Sequence, residues 1–225
     1  MSKSVFNALL RTKLSAFIEK TYLTVAASQP YVRNWHIELI ADALEKCAHG
    51  EIRRLIINLP PRSLKSICAS VAFPAWLLGR FPQTRIICAS YSDDLASKHA
   101  RDCRAVMDAP WYKEAFPATR LNPHKRSEGE FETTQNGCRI STSIGGTLTG
   151  RGGSLIIIDD PLKPQDALSD VKRNNVNQWY DNTLFSRLDN KETGCIIIVM
   201  QRVHLDDLVG YVQRNEAWTV LNLPA

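Results

Sequence analysis

The sequence lacks long apolar segments, paired-cysteine motifs and a strong excess of either charge. No apolar run approaches the ~20 residues that a membrane-spanning helix needs, and no long apolar stretch resembling a secretion signal follows the N-terminus. The six cysteines are scattered without CxxC spacing, which argues against disulfide frameworks and zinc sites. Internal repeats and low-complexity tracts are also missing. We therefore expect a cytoplasmic globular protein with buried, reduced thiols and no membrane contact.

The composition that is present is that of an ordinary folded domain. Its 225 residues are 44% hydrophobic and 23% charged, which is enough for one large domain with a proper core. The formal net charge of +5 permits an anionic partner without demanding one. Residues 1–50 show helical spacing of apolar side chains. We expect them to form a helical segment that packs on a core built from residues 51–225.

Apolar runs alternate with helical patterns along the chain. The runs that we predict as strands are residues 53–58, 85–89, 138–144, 155–158, 195–200 and 218–223. Such alternation implies βαβ crossovers and therefore an α/β fold with a mostly parallel sheet flanked by helices. The patterns also predict single helices over residues 5–26 and 169–188, with loop and hairpin at 108–137. Pro74 should kink or restart the helix in which it lies.

The segment LIINLPPRSLKS joins an apolar strand to a turn and to the start of a helix. We call residues 59–66 the lysine turn. Amide groups at a helix N-terminus attract anions, Lys65 can reach the β- and γ-phosphates of a nucleotide, and the Ser66 hydroxyl can ligate Mg²⁺. The turn departs from the GxxxxGK[ST] pattern, because leucines stand at both glycine positions. The alternative is an ordinary strand, turn and helix with a surface lysine.

The segment GRGGSLIIIDDP places two carboxylates after another apolar strand. An uninterrupted apolar run is typical of a parallel strand buried on both faces, and open α/β sheets bind ligands at the carboxyl ends of such strands. Asp159 is expected to hold magnesium and Asp160 to polarise an attacking water. Many ATPases with a carboxylate pair at this place have glutamate as the second residue. The alternative is that the two aspartates before Pro161 only start a turn.

Polar residues also follow the predicted strand at 195–200. Gln201 and Arg202 should therefore lie at the same edge of the sheet as Lys65 and Asp159. A polar side chain at this edge can contact the γ-phosphate of a nucleotide or the attacking water. The alternative is that Gln201 and Arg202 cap the end of the strand.

Four segments together resemble the N-terminal ATPase domain of the large terminase subunit of tailed double-stranded DNA bacteriophages. They are HIELIADALEKCAHGEIRRLIINLPPRSLKS, ASYSDDLASKHARDCR, GGTLTGRGGSLIIIDDPLKP and QRVHLDDLVG, and the resemblance covers nearly the whole chain. It implies a P-loop NTPase with a RecA-like, additional-strand sheet and with ATP and Mg²⁺ as cofactors. It also implies that ATP hydrolysis drives double-stranded viral DNA into the procapsid.

The resemblance further implies roles for individual residues. Asp159 and Ser66 would hold the metal, and Asp160 would stand in the catalytic-glutamate position. Gln201 and Arg202 would occupy the motif that couples hydrolysis to movement. The nucleotide's phosphates would contact the lysine turn through Pro61, Arg62, Ser63, Leu64, Lys65 and Ser66. Leu64 replaces the glycine that is usual in the family.

Two further contacts are expected from the same resemblance. Arg151, in the TGRGG loop, is the candidate for an arginine finger that completes the site of a neighbouring subunit, and Arg62 is the candidate within the same subunit. An alternative for Arg151 is that it only positions the strand that follows. Trp35 lies in the segment 31–36, where the family's adenine contacts tend to be. The alternative is that Trp35 anchors the core.

The partners implied are a ring of identical subunits on the phage portal, the portal protein, the small terminase subunit and DNA, all in the host cytoplasm. Large terminases usually continue into a nuclease domain. This chain stops close to where the ATPase domain would end, so we expect it to have no nuclease activity. DNA contacts would be non-specific, phosphate-directed and sensitive to salt. The basic candidates, otherwise ordinary solvated surface, are Lys98, Arg101, Arg104, Lys125, Arg126, Lys172 and Arg173.

Two other function classes share part of this pattern. Another nucleic-acid-dependent ATPase, such as a helicase-like or recombinase-like motor, would share the lysine and aspartate chemistry. A degenerate P-loop fold kept as an assembly module would share the architecture without hydrolysing ATP.

Overall fold

The structure is a computed structural model that describes residues 2–26 and 29–223. Within these ranges the chain forms one sheet of eight strands. The strands are β1 (Arg54–Asn58), β2 (Arg85–Ser90), β3 (Leu121–Arg126), β4 (Glu130–Thr133), β5 (Cys138–Ser143), β6 (Leu155–Asp159), β7 (Cys195–Met200) and β8 (Thr219–Asn222). The strands at the predicted apolar runs begin and end within one or two residues of the predicted bounds.

Helices flank the sheet on both faces. They are α1 (Lys3–Thr12), α2 (Leu14–Val25), α3 (Trp35–Ala48), α4 (Phe73–Arg80), α5 (Asp93–Asp108), α6 (Pro110–Ala115), α7 (Asp170–Trp179) and α8 (Leu208–Val212). A π-helical segment, Ile67–Ala72, leads into α4, and a second, Tyr180–Leu184, follows α7. None of the helices in the described ranges combines the length and the apolar character that crossing a bilayer would take.

The order of the strands across the sheet is β3-β4-β5-β2-β6-β7-β1-β8. Only the pairs β3–β4 and β4–β5 are antiparallel, so the sheet is mostly parallel. β7 lies between β1 and β6 and pairs with both, with Met200 opposite Asn58 and Val199 opposite Asp159. The carboxyl ends of these three strands are therefore level. We call this side the carboxyl edge of the sheet.

Alternate side chains of the strands enter two hydrophobic cores. Ile57 and Ile157 belong to the core that includes α1–α6, whereas Ile56 and Ile156 belong to the core on the opposite face with α7 and α8. Because both faces are covered, the central strands have no solvent-facing positions. This explains why the sequence shows continuous apolar runs there instead of alternation.

Two predicted helices are shorter than expected. The predicted helix 5–26 consists of α1 and α2, and the chain is extended at Lys13 between them. The backbone N–H of Leu14 donates to the Glu45 carboxylate of α3 at 2.6 Å, so a side chain distant in sequence caps the start of α2. The predicted helix 169–188 is α-helical only to Trp179 and continues as π- and 3₁₀-helical turns. The predicted loop and hairpin at 108–137 also contains α6, which begins with Pro110 at its first position.

Two other predictions from the sequence are confirmed. The six cysteines are buried and free, as expected for reduced thiols. The helix that contains Pro74 does restart, since the π-helical segment gives way to α4 at Phe73. Proline has no N–H and cannot donate to the carbonyl four residues earlier, which is that of Ser70.

The N-terminal helices share their core with the sheet, and this arrangement predicts a single unfolding transition. Leu14 of α2 is fully buried in the same core as Ile57 of β1. Leu14→Ala should lower the free energy of unfolding by about 2–5 kcal/mol, measured by urea denaturation. The matched control in the same helix is Leu23→Ala, because Leu23 is 44% exposed. A second transition for the N-terminal helices would mean that they form a separate unit.

Candidate active site

The lysine turn and the two aspartates meet at the carboxyl edge of the sheet. The Ser66 hydroxyl donates to Oδ1 of Asp159 at 3.0 Å, and Nζ of Lys65 lies 3.1 Å from Oδ2 of Asp160. The Lys65 side chain is 7% exposed and that of Asp160 is 29% exposed, so solvent reaches this ion pair only from the side of the carboxylate. The structure therefore brings together residues that are far apart in the sequence.

The backbone of the lysine turn has the conformation that glycine would favour. Arg62 and Leu64 both have φ of 62°, in the left-handed region. For a residue with a side chain this conformation costs about 1–2 kcal/mol. The side chain of Leu64 packs against the core, which offsets part of that cost. Leu64 thus adopts the backbone geometry of the glycine that it replaces in the P-loop pattern.

Helix α3 supports the turn from one side. Nε2 of His36 lies 3.1 Å from the carbonyl oxygen of Ser63, and the Ser63 hydroxyl donates to the carbonyl of Pro60 at 2.7 Å. Trp35 precedes His36 at the start of α3 and is 68% exposed. The alternative that Trp35 anchors the core is therefore wrong.

Asp159 is buried and is bonded through both oxygens. Its exposure is 1%, and besides the Ser66 contact its Oδ2 accepts a hydrogen bond of 2.6 Å from the Ser70 hydroxyl. Burial is the largest cause that raises the pKa of Asp159, and the negative charge of Asp160 is the second; the pKa reaches about 7. The hydrogen bonds from the two serine hydroxyls and the charge of Lys65 lower it in part. Nδ1 of His99 lies 3.6 Å from Oδ2, and burial lowers the pKa of His99 to about 3, so this imidazole is neutral.

Asp160 is held by two backbone hydrogen bonds to the end of the neighbouring strand β7 and the residue that follows it. It has φ of 45°, its N–H donates to the carbonyl of Val199 at 2.9 Å, and its Oδ1 accepts a 3.1 Å hydrogen bond from the N–H of Gln201. Residues held in sparsely populated backbone conformations cluster at functional sites. Of the four non-glycine residues with positive φ in the described ranges, three lie in this site.

The loop after β7 lies at the same edge, as predicted, but its arginine is paired within the loop itself. Nε of Arg202 donates to the buried Asp207 at 2.9 Å. The carboxylate of Asp207 also accepts from the N–H groups of Val203, His204 and Gly210. Gln201 contacts the site through its backbone N–H.

The two finger candidates lie in different places. Arg62 is exposed on the lysine turn and makes no ion pair within the described part of the chain. Arg151 precedes the amino end of β6 and pairs with Glu130 of β4. β4 is three strands away from β6, so Arg151 does not join the site formed by its own subunit.

Most of the basic residues proposed for DNA contact are already paired. Lys98, Arg101 and Lys125 form ion pairs with Asp102, Glu128 and Glu132. Arg104 donates to the carbonyl of Ser127, Lys172 makes no ion pair within the described ranges, and the side chain of Arg126 lies outside the described residues. Arg173 is buried against Asp170, so its prediction as a DNA contact is wrong.

The residues at this edge fit a magnesium ion that is shared with a nucleotide. Mg²⁺ prefers oxygen ligands and usually takes only one or two from the protein, together with phosphate oxygens and water. Ser66 and Asp159 supply oxygens of this kind. In the part of the chain that the structure describes, no group of three or more His, Cys, Asp and Glu side chains is placed to hold a metal without a nucleotide.

Sequence reasoning missed Ser70, His99 and His36, which contact the predicted residues, and Arg139, which contacts Ser70. Ser70 carried a weak signal, because it follows Ser66 by four residues and so shares a helical face with it. The other three are brought to the site only by the packing of separate elements.

No protein-family model and no curated protein matches the sequence, whereas solved structures do. The large terminase of bacteriophage HK97 matches with a TM-score of 0.58 and 16% identity, over 95% of this chain and 43% of its own. A Dbp5 variant of S. cerevisiae, bound to ADP among other partners, matches with a TM-score of 0.51 and 12% identity, over 92% of this chain and 52% of its own. The large terminase of a thermophilic bacteriophage, in complex with ADP, matches with a TM-score of 0.48 and 12% identity, over 80% and 44%.

At these identities the first two likenesses show the fold. The sheet of this chain is a RecA-like P-loop fold, in which β7 is the additional strand between β1 and β6, and the predicted fold class is confirmed. The chain spans 43% of the HK97 protein, which is less than half of its length.

The buried carboxylate of Asp159 predicts a pH-dependent stability. Because its folded pKa of about 7 lies above the value of about 3.9 for an unfolded aspartate, the folded state binds the proton more tightly. The stabilisation of the folded state that comes from this tighter proton binding is complete below about pH 4 and is lost as the pH rises towards about 7. In the nucleotide-free protein at about pH 8, the free energy of unfolding of Asp159→Asn should therefore exceed that of the wild type by a few kcal/mol, measured by urea denaturation.

The difference in free energy of unfolding between Asp159→Asn and the wild type should close at about pH 3, since the side chain at position 159 is then neutral in both the folded and the unfolded protein. Asp189→Asn serves as the control, because the Asp189 side chain is 42% exposed and it should gain nothing at high pH. A difference that stays constant across this range would contradict the assignment of the raised pKa to Asp159.

Proposed function

We propose that this chain hydrolyses ATP with Mg²⁺ and is the ATPase domain of a large terminase, which moves double-stranded viral DNA into a procapsid. The observation that carries the proposal is the meeting of Lys65 and Ser66 with Asp159 and Asp160 at one edge of the sheet. The fold alone would not suffice, because one fold hosts many functions. The site supplies a cation, a hydroxyl and two carboxylates, which are the groups that phosphoryl transfer requires.

The Lys65–Asp160 ion pair suggests how the site responds to a nucleotide. Without phosphates, the two side chains neutralise one another at 3.1 Å. ATP brings negative charge that competes for Lys65, and a lysine that turns to the phosphates leaves the Asp160 carboxylate free to accept a proton from the attacking water. Mg²⁺, held through Ser66 and Asp159, would stabilise the negative charge on the phosphates. Asp160 reports this change to Gln201 through their direct hydrogen bond.

The remaining site residues receive proposed roles from their positions. Trp35 presents an exposed aromatic face next to the turn, and such a face can stack on a nucleotide base. Arg62 is free to contact phosphate within the same subunit. Arg151 is half-exposed, and it would act on a neighbouring subunit only after leaving Glu130. An arginine finger can contribute about 10³–10⁵ in rate.

The motor part of the proposal is supported by the HK97 likeness together with the four sequence segments. It implies a bacteriophage protein that acts in the host cytoplasm, forms a ring on the portal and binds the portal protein, the small terminase subunit and DNA. The DNA would be bound through its phosphates and without sequence preference. Nuclease activity is not expected from the part of the protein present in this chain.

Another ATPase motor is the second candidate, because Dbp5 has the same fold at a similar TM-score. The third candidate, a degenerate module, is disfavoured by the intact contacts of Lys65 and Ser66 with the aspartates. The backbone of Leu64 also keeps the left-handed conformation that glycine would favour at this position.

Substitutions at the ion pair separate binding from hydrolysis. Lys65→Ala should weaken binding of a fluorescent, non-hydrolysable ATP analogue by about tenfold or more, since it removes a charge-assisted contact to phosphate. Asp160→Asn should keep that binding but lower phosphate release by about 10²–10⁴, the usual contribution of a general base. Lys172→Ala removes a surface lysine that makes no ion pair within the described ranges, so it is the control and should change neither quantity. Magnesium-dependent turnover that survives both site substitutions would refute the proposed site.

DNA assays separate the motor candidates. Two unrelated duplexes should bind with equal affinity, measured by fluorescence anisotropy. With about six phosphate contacts the affinity should fall by about 10³ between about 50 and 200 mM salt. ATP should cause no strand separation of these duplexes. Strand separation, or a marked sequence preference, would favour the second candidate over a packaging motor.

A further inference from the structure

The two oxygens of the Asp159 carboxylate are bonded by two different serine hydroxyls. Ser66, at the end of the lysine turn, donates to Oδ1 at 3.0 Å, and Ser70, four residues later, donates to Oδ2 at 2.6 Å. Ser66 is half-buried beside the turn, whereas Ser70 is 1% exposed. Oδ1 therefore faces the site at which phosphates would bind, and Oδ2 faces the protein interior.

The position of Ser70 follows from Pro74 and from a buried arginine. In a regular α-helix the carbonyl of Ser70 would accept from residue 74, but proline has no N–H. The chain is π-helical from Ile67 to Ala72, and Nη2 of the fully buried Arg139 donates to the Ser70 carbonyl at 3.1 Å. Arg139 is itself held by the Ser141 hydroxyl at 2.5 Å. π-helical segments of this kind occur frequently at functional sites.

Ser70 is the only close donor to Oδ2 in the described ranges. The nearest alternative is His99, whose Nδ1 lies 3.6 Å away, too far for a normal hydrogen bond. A carboxylate bonded through one oxygen alone can rotate about its Cβ–Cγ bond, whereas bonds to both oxygens fix its plane. The Ser70 bond therefore decides which oxygen of Asp159 is presented to the site.

We infer that Ser70 is a positioning residue that fixes the Asp159 carboxylate for the divalent cation which accompanies the nucleotide. The inference rests on the proposed function, since it assumes that Asp159 and Ser66 hold that cation. Ser70 lies too deep to touch the nucleotide, so its loss should affect the cation and leave metal-free nucleotide binding alone. Loss of the hydrogen-bonding partner of a metal ligand typically lowers metal affinity by about 10–100-fold.

The test measures nucleotide binding as a function of metal. Binding of a fluorescent ADP is titrated with Mg²⁺, and separately with Mn²⁺, and is also measured in EDTA. Ser70→Ala should raise the metal concentration for half-maximal enhancement of binding by about tenfold. Its affinity for nucleotide in EDTA should stay within about twofold of the wild type, because the lysine turn is unchanged.

Two further variants guard against a trivial effect on folding. Ser70→Cys keeps most of the side-chain volume but replaces the hydroxyl with a weak donor, so it should show the same shift as Ser70→Ala. Ser90→Ala is the matched control. It removes a buried hydroxyl from β2, the strand on the other side of Asp159, without removing a hydrogen bond to that carboxylate, and it should leave the metal midpoint unchanged.

The possible outcomes are distinct. An unchanged metal midpoint in both Ser70 variants would overturn the inference while leaving the proposed function intact. Equal losses of affinity with metal and in EDTA would also overturn it, because Ser70 would then only shape the helix. A wild-type protein that binds no nucleotide would overturn the proposed function and this inference together.

Discussion

The burial of one carboxylate at the carboxyl edge of the sheet constrains the rest of the site. Asp159 is the last residue of a strand that is covered on both faces, so water cannot satisfy its oxygens, and an unpaired buried carboxylate is costly. The donors are Ser66, at the end of the lysine turn, and Ser70, in the helical segment that follows. They reach Asp159 because β7 lies between β1 and β6 and sets their separation. The site therefore assembles only when the strands of the sheet are packed in this order.

Much of the fold could be predicted from the sequence because its causes are local. Continuous apolar runs predict strands buried on both faces, and the covered central strands are what the structure contains. The break at Lys13 was not predictable, because it depends on the carboxylate of Glu45 in another helix. The end of α7 at Trp179 was likewise not predictable, because no glycine or proline stands there in the sequence.

The site shows the same division between local and distant causes. Lys65, Ser66 and the two aspartates could be found from their motifs, since each motif combines a strand end with a chemistry-bearing side chain. His99 and Arg139 come from α5 and β5. Nothing in the local sequence indicates that Arg139, a charged residue in a strand, is buried. The residue types in the lysine turn suggested a weakened motif. Its backbone, with Leu64 in the left-handed region, shows that a leucine can occupy the glycine position at a cost in strain.

The hydrogen bonds of the loop after β7 determine how a movement in the site would be passed on. The Asp207 carboxylate accepts hydrogen bonds from Arg202 and from three backbone N–H groups, so the loop is closed upon itself and joined to the start of α8. Its first residue, Gln201, is tethered to Asp160. Under the proposed function, a displacement of Asp160 during ATP hydrolysis would therefore move residues 201–207 together with the start of α8.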